Sequence, residues 1–103
     1  MRDRTEEEFD EIIYDDEATA LVLFHRKGCH VCEAITPCLT ELEQEYEGSV
    51  QFLSIDVEEN NVFSRFGLMG VPQVLLFKDG NLCKRLSGEK SLDEYQDEIE
   101  NLL

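Results

Sequence analysis

Apolar residues recur along this chain in two rhythms, helical spacing and short continuous runs, and the alternation between them predicts most of the architecture. Phe9, Ile12 and Ile13 fall on one helix face behind Thr5-Glu6-Glu7-Glu8, a hydroxyl followed three residues later by a carboxylate. That pattern predicts an amphipathic helix over 6–16 opened by a capping box. Only four residues precede the cap, which leaves little room for a leading strand. Ala20-Leu21-Val22-Leu23-Phe24 is continuously apolar, so residues 19–25 read as a strand covered on both faces. Ile35, Leu39, Leu42 and Tyr46 then carry a helix from Cys29 to about Glu47, with Gly48 as its C-terminal cap. Pro37 predicts a kink in that helix rather than a break, because the apolar spacing continues past it.

Val50–Asp56 alternates partly and reads as a second strand, and residues 59–66 as a short helix closed by Gly67. Gly70-Val71-Pro72 leads into a third strand at Val74–Phe77. Lys78-Asp79-Gly80-Asn81 signals a hairpin turn into a fourth strand at 82–86. Ser91-Leu92-Asp93-Glu94 is a second capping box, and Leu92, Tyr95, Ile99, Leu102 and Leu103 form the apolar face of the last helix. The resulting order, α-β-α-β-α-β-β-α, is that of an α/β fold.

Composition narrows the picture. At 103 residues and 42% hydrophobic, the chain is expected to be one domain, 1–103, with a core that needs no disulfide staples. Its formal charge of −15 argues against nucleic acid or an anionic membrane as partner. The charge is uneven: nine of the 24 carboxylates lie in residues 1–17, whereas His25, Arg26, Lys27 and His30 surround the first cysteine. Residues 1–17 hold no apolar stretch of the length a secretory signal requires, and the run 20–24 is far too short to span a membrane. A cytoplasmic location is therefore expected, where thiols stay reduced unless they are catalytic or sensing.

The candidate chemistry lies in Gly28-Cys29-His30-Val31-Cys32-Glu33, at the junction of the first strand and the second helix. Two thiols three positions apart both project from the first helical turn, where unpaired N–H groups and the helix dipole stabilise a thiolate. Cys29 is expected to be the exposed, reactive thiol, and Cys32 the more buried one, placed to close a disulfide onto it. Half of a zinc site has the same spacing, but it requires a second pair of ligands, and Cys38 and Cys83 are singletons. Dithiol redox chemistry is thus favoured over a structural metal. Cys38 and Cys83 read as small buried or half-buried core residues, Cys83 on an edge strand and Cys38 roughly 240° around the helix from Cys32. His30, Arg26 and Lys27 are candidate cationic neighbours that stabilise the Cys29 thiolate and make the disulfide more oxidising; Glu33 opposes them.

The cysteine motif, Pro37 five residues after Cys32, Gly70-Val71-Pro72, Leu76-Phe77-Lys78-Asp79-Gly80 and Gly88 together make the chain resemble a thioredoxin over almost its full length. The resemblance implies a thioredoxin fold, a central mixed sheet of four or five strands flanked by helices on both faces. It implies a cis Pro72 against the disulfide, with the backbone of Val71 free to pair with an extended substrate segment. It also implies a thiol–disulfide oxidoreductase acting on protein disulfides, in which Cys29 forms the mixed disulfide and Cys32 resolves it. Such a protein needs no cofactor in the chain, draws electrons from a reductase or a small thiol, and acts as a monomer without nucleic acid or membrane.

The departures from the family are specific. Leu23 stands where the family has a buried acid, and Phe52 replaces the Lys that supports it. Gly28 replaces a Trp, and the chain has no Trp at all. His30-Val31 replaces Gly-Pro, and Glu33 replaces a basic residue. Without the buried acid, deprotonation of Cys32 is expected to be slow. These departures leave two other readings to weigh: a binding module that keeps the fold with little turnover, and ligation of a metal or iron–sulfur group by the two cysteines with a partner chain.

Overall fold

The computed structural model describes all residues, 1–103. Four strands form one sheet: β1 (Ala20–His25), β2 (Gln51–Asp56), β3 (Gln73–Lys78) and β4 (Asn81–Ser87), in the spatial order β2-β1-β3-β4. β1 runs parallel to β2 and antiparallel to β3, and β3 pairs antiparallel with β4. The continuous apolar run 20–24 takes an inner position, with every one of its residues buried. Side chains alternate across a strand, so each inner strand feeds two cores. Leu21, Leu23, Val74 and Leu76 face a cluster completed by α2 (His30–Glu45) and α3 (Leu92–Leu102). Ala20, Val22, Phe24, Leu75 and Phe77 face a second cluster, closed by Phe9 and Ile13 of the first helix and by Val62. No helix is long and apolar enough to cross a membrane.

Two elements differ in detail from the expectation. The first helix, α1, is α-helical only over Glu6–Asp10 and then winds as a π-helical turn over Glu11–Asp15, where Asp16 N–H donates to Glu11 C=O at 2.8 Å. The wider turn lies where the chain meets the β3–β4 hairpin, whose Gly80 N–H donates to Ala18 C=O at 3.1 Å. A Cβ on Gly80 would fall 2.9 Å from the Ile13 carbonyl oxygen, so a larger residue does not fit this junction. With Asp79 at φ 51° and Gly80 at φ 81°, the turn is of the type I′ kind that suits the twist of a hairpin.

The helix expected over 59–66 shrinks to a 3₁₀ turn at Phe63–Phe66, capped by left-handed Gly67. Asn60 Oδ1 accepts from Val62 N–H, so a side chain claims the amide that would have made the first bond of that helix. Ahead of α1, a single bridge from Asp3 to Ser54 is the only trace of a fifth strand.

Cys83 corrects the sequence reading. It is exposed rather than part of the core, whereas Cys38 is half-buried. The β3–β4 register passes from Phe77↔Leu82 to Leu76↔Lys84, which leaves Cys83 as the unpaired residue of a bulge on the edge strand.

Candidate functional site

β1 ends at His25, and four residues later α2 begins with Cys29 as its N-cap. Gly28 makes the reversal possible by adopting φ 77°, a conformation an L side chain resists. Cys29 is extended (φ −91°, ψ 107°), and its Sγ accepts the Cys32 N–H at 3.2 Å. Its carbonyl accepts Glu33 N–H at 3.1 Å, closing the first turn. The two sulfurs are bonded, with the Cα atoms 5.3 Å apart. Cys32 is buried at 3% exposure, whereas Cys29 is half-buried. Cys29 is thus the more accessible sulfur, but less exposed than expected, because it folds back onto Cys32. Thr36, which the sequence reading passed over, donates its hydroxyl to the Cys32 C=O at 2.8 Å. The only sequence signal for it was a Thr four residues after a helical Cys.

The segment entering β3 comes to the same end of the sheet. The register pairs Phe24 with Gln73, so the residues just before Gln73 lie beside the exit of β1, from which the cysteine loop departs. There the Val71–Pro72 peptide bond is cis and Pro72 is buried. Val71 belongs to no strand, and its N–H and C=O make no hydrogen bond within the chain. Gln73, also unanticipated, is buried and bonded at both ends of its amide, to Met69 C=O and to the Ser87 hydroxyl.

The proposed tuning residues are gathered less tightly than their spacing suggested. Arg26, Lys27, His30 and Glu33 are all exposed, and none of their side chains makes a hydrogen bond or ion pair. His25, grouped with them in sequence, is committed elsewhere: its Nε2 lies 2.6 Å from Asp3 Oδ1. Burial pushes the Asp3 carboxyl up, but hydrogen bonds to His25 and Ser54, with the charges of His25 and Lys27, outweigh it and hold the group below its ordinary value.

Leu23 and Phe52 are buried in the apolar cluster with Ile35, Leu39, Val74 and Leu76 that packs beneath α2. Leu23, where the resemblance implies a buried acid, is thus surrounded by apolar side chains. No group of three or more His, Cys, Asp or Glu side chains is arranged to hold a metal ion. A cavity of about 520 Å³ opens at the opposite end of the strands between Thr19, Gln51, Glu43 and Asp79 and touches none of these residues.

Comparison with known proteins agrees with this geometry. The thioredoxin family model matches residues 1–101. The chain is 35% identical over 85 residues to a thioredoxin of Staphylococcus haemolyticus, covering 82% of this chain and 80% of that protein. It is 32% identical over 81 residues to a thioredoxin of Synechocystis, covering 78% and 76%. An NADPH-dependent thioredoxin reductase 3 of Arabidopsis thaliana is 32% identical over 90 residues, which are 86% of this chain but only 17% of that longer protein. Among solved structures, a mutant thioredoxin from Halobacterium salinarum superposes with a TM-score of 0.84 at 28% identity, covering 97% of this chain and 87% of the other. These relatives and the Cys29–Cys32 pair support thiol–disulfide oxidoreductase chemistry, and nothing among them favours a bare binding module or metal ligation. The family match over nearly the whole chain, the superposable fold and the cysteine pair heading α2 lead to one conclusion: the chain belongs to the thioredoxin family.

Proposed function

We propose that the chain reduces or exchanges protein disulfides through Cys29 and Cys32, with Cys29 as the attacking sulfur. The observation that carries this assignment is the asymmetry of the pair: Cys29 is half-buried at the N-cap while Cys32 is 3% exposed. In the dithiol form, the Cys29 thiolate attacks one sulfur of a substrate disulfide and expels the other as a thiolate. The Cys32 thiolate then attacks Cys29 Sγ, which forms the Cys29–Cys32 disulfide and releases the second substrate sulfur. Two electrons pass to the substrate, and the bonded pair in this structure is the oxidised end of that cycle. The Cys32 N–H already points at Cys29 Sγ and stabilises negative charge on it when the bond opens.

Several supports extend the reading. The unengaged backbone of Val71, next to buried Pro72, suits strand addition of an extended protein segment beside the disulfide. Electrons return from a reductase or a small thiol, a role consistent with the reductase name carried by one relative. The unbonded Cys38 and Cys83 fit a reducing cytoplasm. A net charge of −15 discourages self-association and fits a monomer. His30, Arg26 and Lys27 act on the Cys29 thiolate through solvent rather than by contact, against Glu33.

Replacing Cys32 with Ser tests the mechanism. With a disulfide substrate present, the Cys32→Ser chain accumulates a mixed disulfide on Cys29 that is visible by mass spectrometry. If no adduct forms under turnover conditions, the assignment of roles is wrong.

A further inference from the structure

Gln73 is one of three buried polar side chains, and its bonds reach directly into the proposed docking segment. It follows Pro72 and opens β3. Its Nε2 donates to the Met69 carbonyl at 2.8 Å, and its Oε1 accepts the Ser87 hydroxyl at 2.8 Å. The opposite amide orientation would set Oε1 against the Met69 carbonyl, acceptor against acceptor, so the arrangement is unique. A second tether lies beside it: Gly88 N–H donates to Pro72 C=O at 3.2 Å, and the Tyr95 hydroxyl donates to Gly88 C=O at 3.4 Å.

The segment Met69–Pro72 is thus fastened at both ends to the end of β4. Between the fastenings lies Val71, with its N–H and C=O free. Packing does not hold the start of the segment, since Met69 is 88% exposed. Its carbonyl, held by Gln73, is the anchor.

We infer that Gln73 is a positioning residue for protein substrates. By fixing the Met69 carbonyl it sets the direction in which the Val71 N–H and C=O point, so that an extended segment pairs in register with Cys29. This rests on the reading that Val71 pairs with substrate. Pairing to a preorganised edge avoids the entropy of ordering the loop during binding, whereas an untethered loop loses affinity to that ordering. A small disulfide has no backbone to pair and needs only access to the sulfurs. Gln73 therefore separates protein substrates from small ones.

The experiment compares the full chain with Gln73→Met and Ser87→Ala, with thermal melts to establish that each variant is folded. Insulin reduction, recycled with dithiothreitol, reports the protein substrate, and 2-hydroxyethyl disulfide reports the small one. Gln73→Met, similar in shape and unable to form either bond, raises the insulin KM about tenfold, with kcat and the small-disulfide rate within about twofold of wild type. Ser87→Ala removes one anchor of the amide but leaves the bond to Met69, and raises KM about threefold. An unchanged insulin KM in a folded Gln73→Met chain overturns the inference. So does an equal slowing of both substrates, which would mark Gln73 as general support for the site. Should Gln73→Met fail to fold, Ser87→Ala carries the test, and an unchanged KM there overturns the inference as well. A wild-type chain that reduces neither substrate overturns the functional reading itself, and the inference with it.

Discussion

Helices α2 and α3 begin with the same geometry and opposite chemistry. At α3, the Ser91 hydroxyl accepts from Glu94 N–H at 3.1 Å and the Glu94 carboxylate accepts from Ser91 N–H at 3.1 Å, a closed reciprocal box between the N-cap and the third helical residue. At α2 those two positions are Cys29 and Cys32. The forward bond survives, Cys32 N–H to Cys29 Sγ at 3.2 Å, but the return bond, which at α3 runs from the N-cap N–H to a carboxylate, gives way to the bond between the sulfurs. A capping box satisfies the helix end permanently. The cysteine pair occupies the same three-residue spacing with a link that opens on reduction, and on opening leaves helix amides aimed at a thiolate. The two termini therefore separate what the geometry supplies, a stable helix start, from what sulfur supplies, which is reactivity.

The sharpest way to break the comparison is Cys29→Ser. Serine is a good N-cap, so the variant should keep the stability of the reduced wild type within about 1 kcal/mol while its turnover falls by more than about a thousandfold. Insulin reduction and thermal melts in reductant measure both, and residual turnover near the wild-type rate would mean that Cys29 is not the attacking sulfur.

A smaller effect sharpens the α2 end. His30 is its first helical residue and Glu33 its fourth, both exposed and without partners. Removing the cationic neighbour in His30→Ala should raise the Cys29 thiol pKa, destabilise the reduced form and move the potential to a more negative value. Glu33→Gln should move it the other way. Each unit of thiol pKa corresponds to about 1.4 kcal/mol, of order 30 mV for a two-electron couple. Redox titration against glutathione, with thiolate absorbance titration, reads both. Superimposable wild-type and His30→Ala curves would make His30 a bystander and leave the tuning to Arg26, Lys27 or the helix terminus.

The smallest effect concerns the boxed termini. Ser91→Ala should lower stability by about 1 kcal/mol and leave turnover untouched, the reverse of Cys29→Ser. Acid exposes the carboxylate half of each box. The Thr5 backbone N–H, followed by Arg2, holds the Glu8 carboxyl down to about 2, from an ordinary value of 4.5. Glu94 is lowered by its bonds to the Ser91 backbone and hydroxyl. A carboxyl depressed on folding contributes stability that is complete above its ordinary value and is lost as pH falls toward the folded value. Melting temperature should therefore drop between pH 4.5 and about 2 partly through these boxes, with a shallower drop in Glu8→Gln. An identical acid limb in both proteins would remove Glu8 from the account.

The sequence by itself determined the elements whose signal is local. The continuous apolar runs 20–24 and 74–77 already read as strands, and a strand's period of two sends their side chains to two faces. Both capping boxes, the Asp79-Gly80 turn and the cysteine pair were legible because each completes its geometry within four residues. Only the tertiary structure decided the rest, and in each case the deciding partner lies on another element. The π-helical end of α1 meets a turn more than sixty residues away, at Gly80. Cys83 leaves the core because a bulge against β3 removes its pairing, and alternation within one strand carries no record of a register slip on its neighbour. His25 is drawn to Asp3, and Gln73 to Ser87 across the sheet. Polar side chains choose among many partners of similar chemistry, and only the packed apolar framework brings one of them within 3 Å.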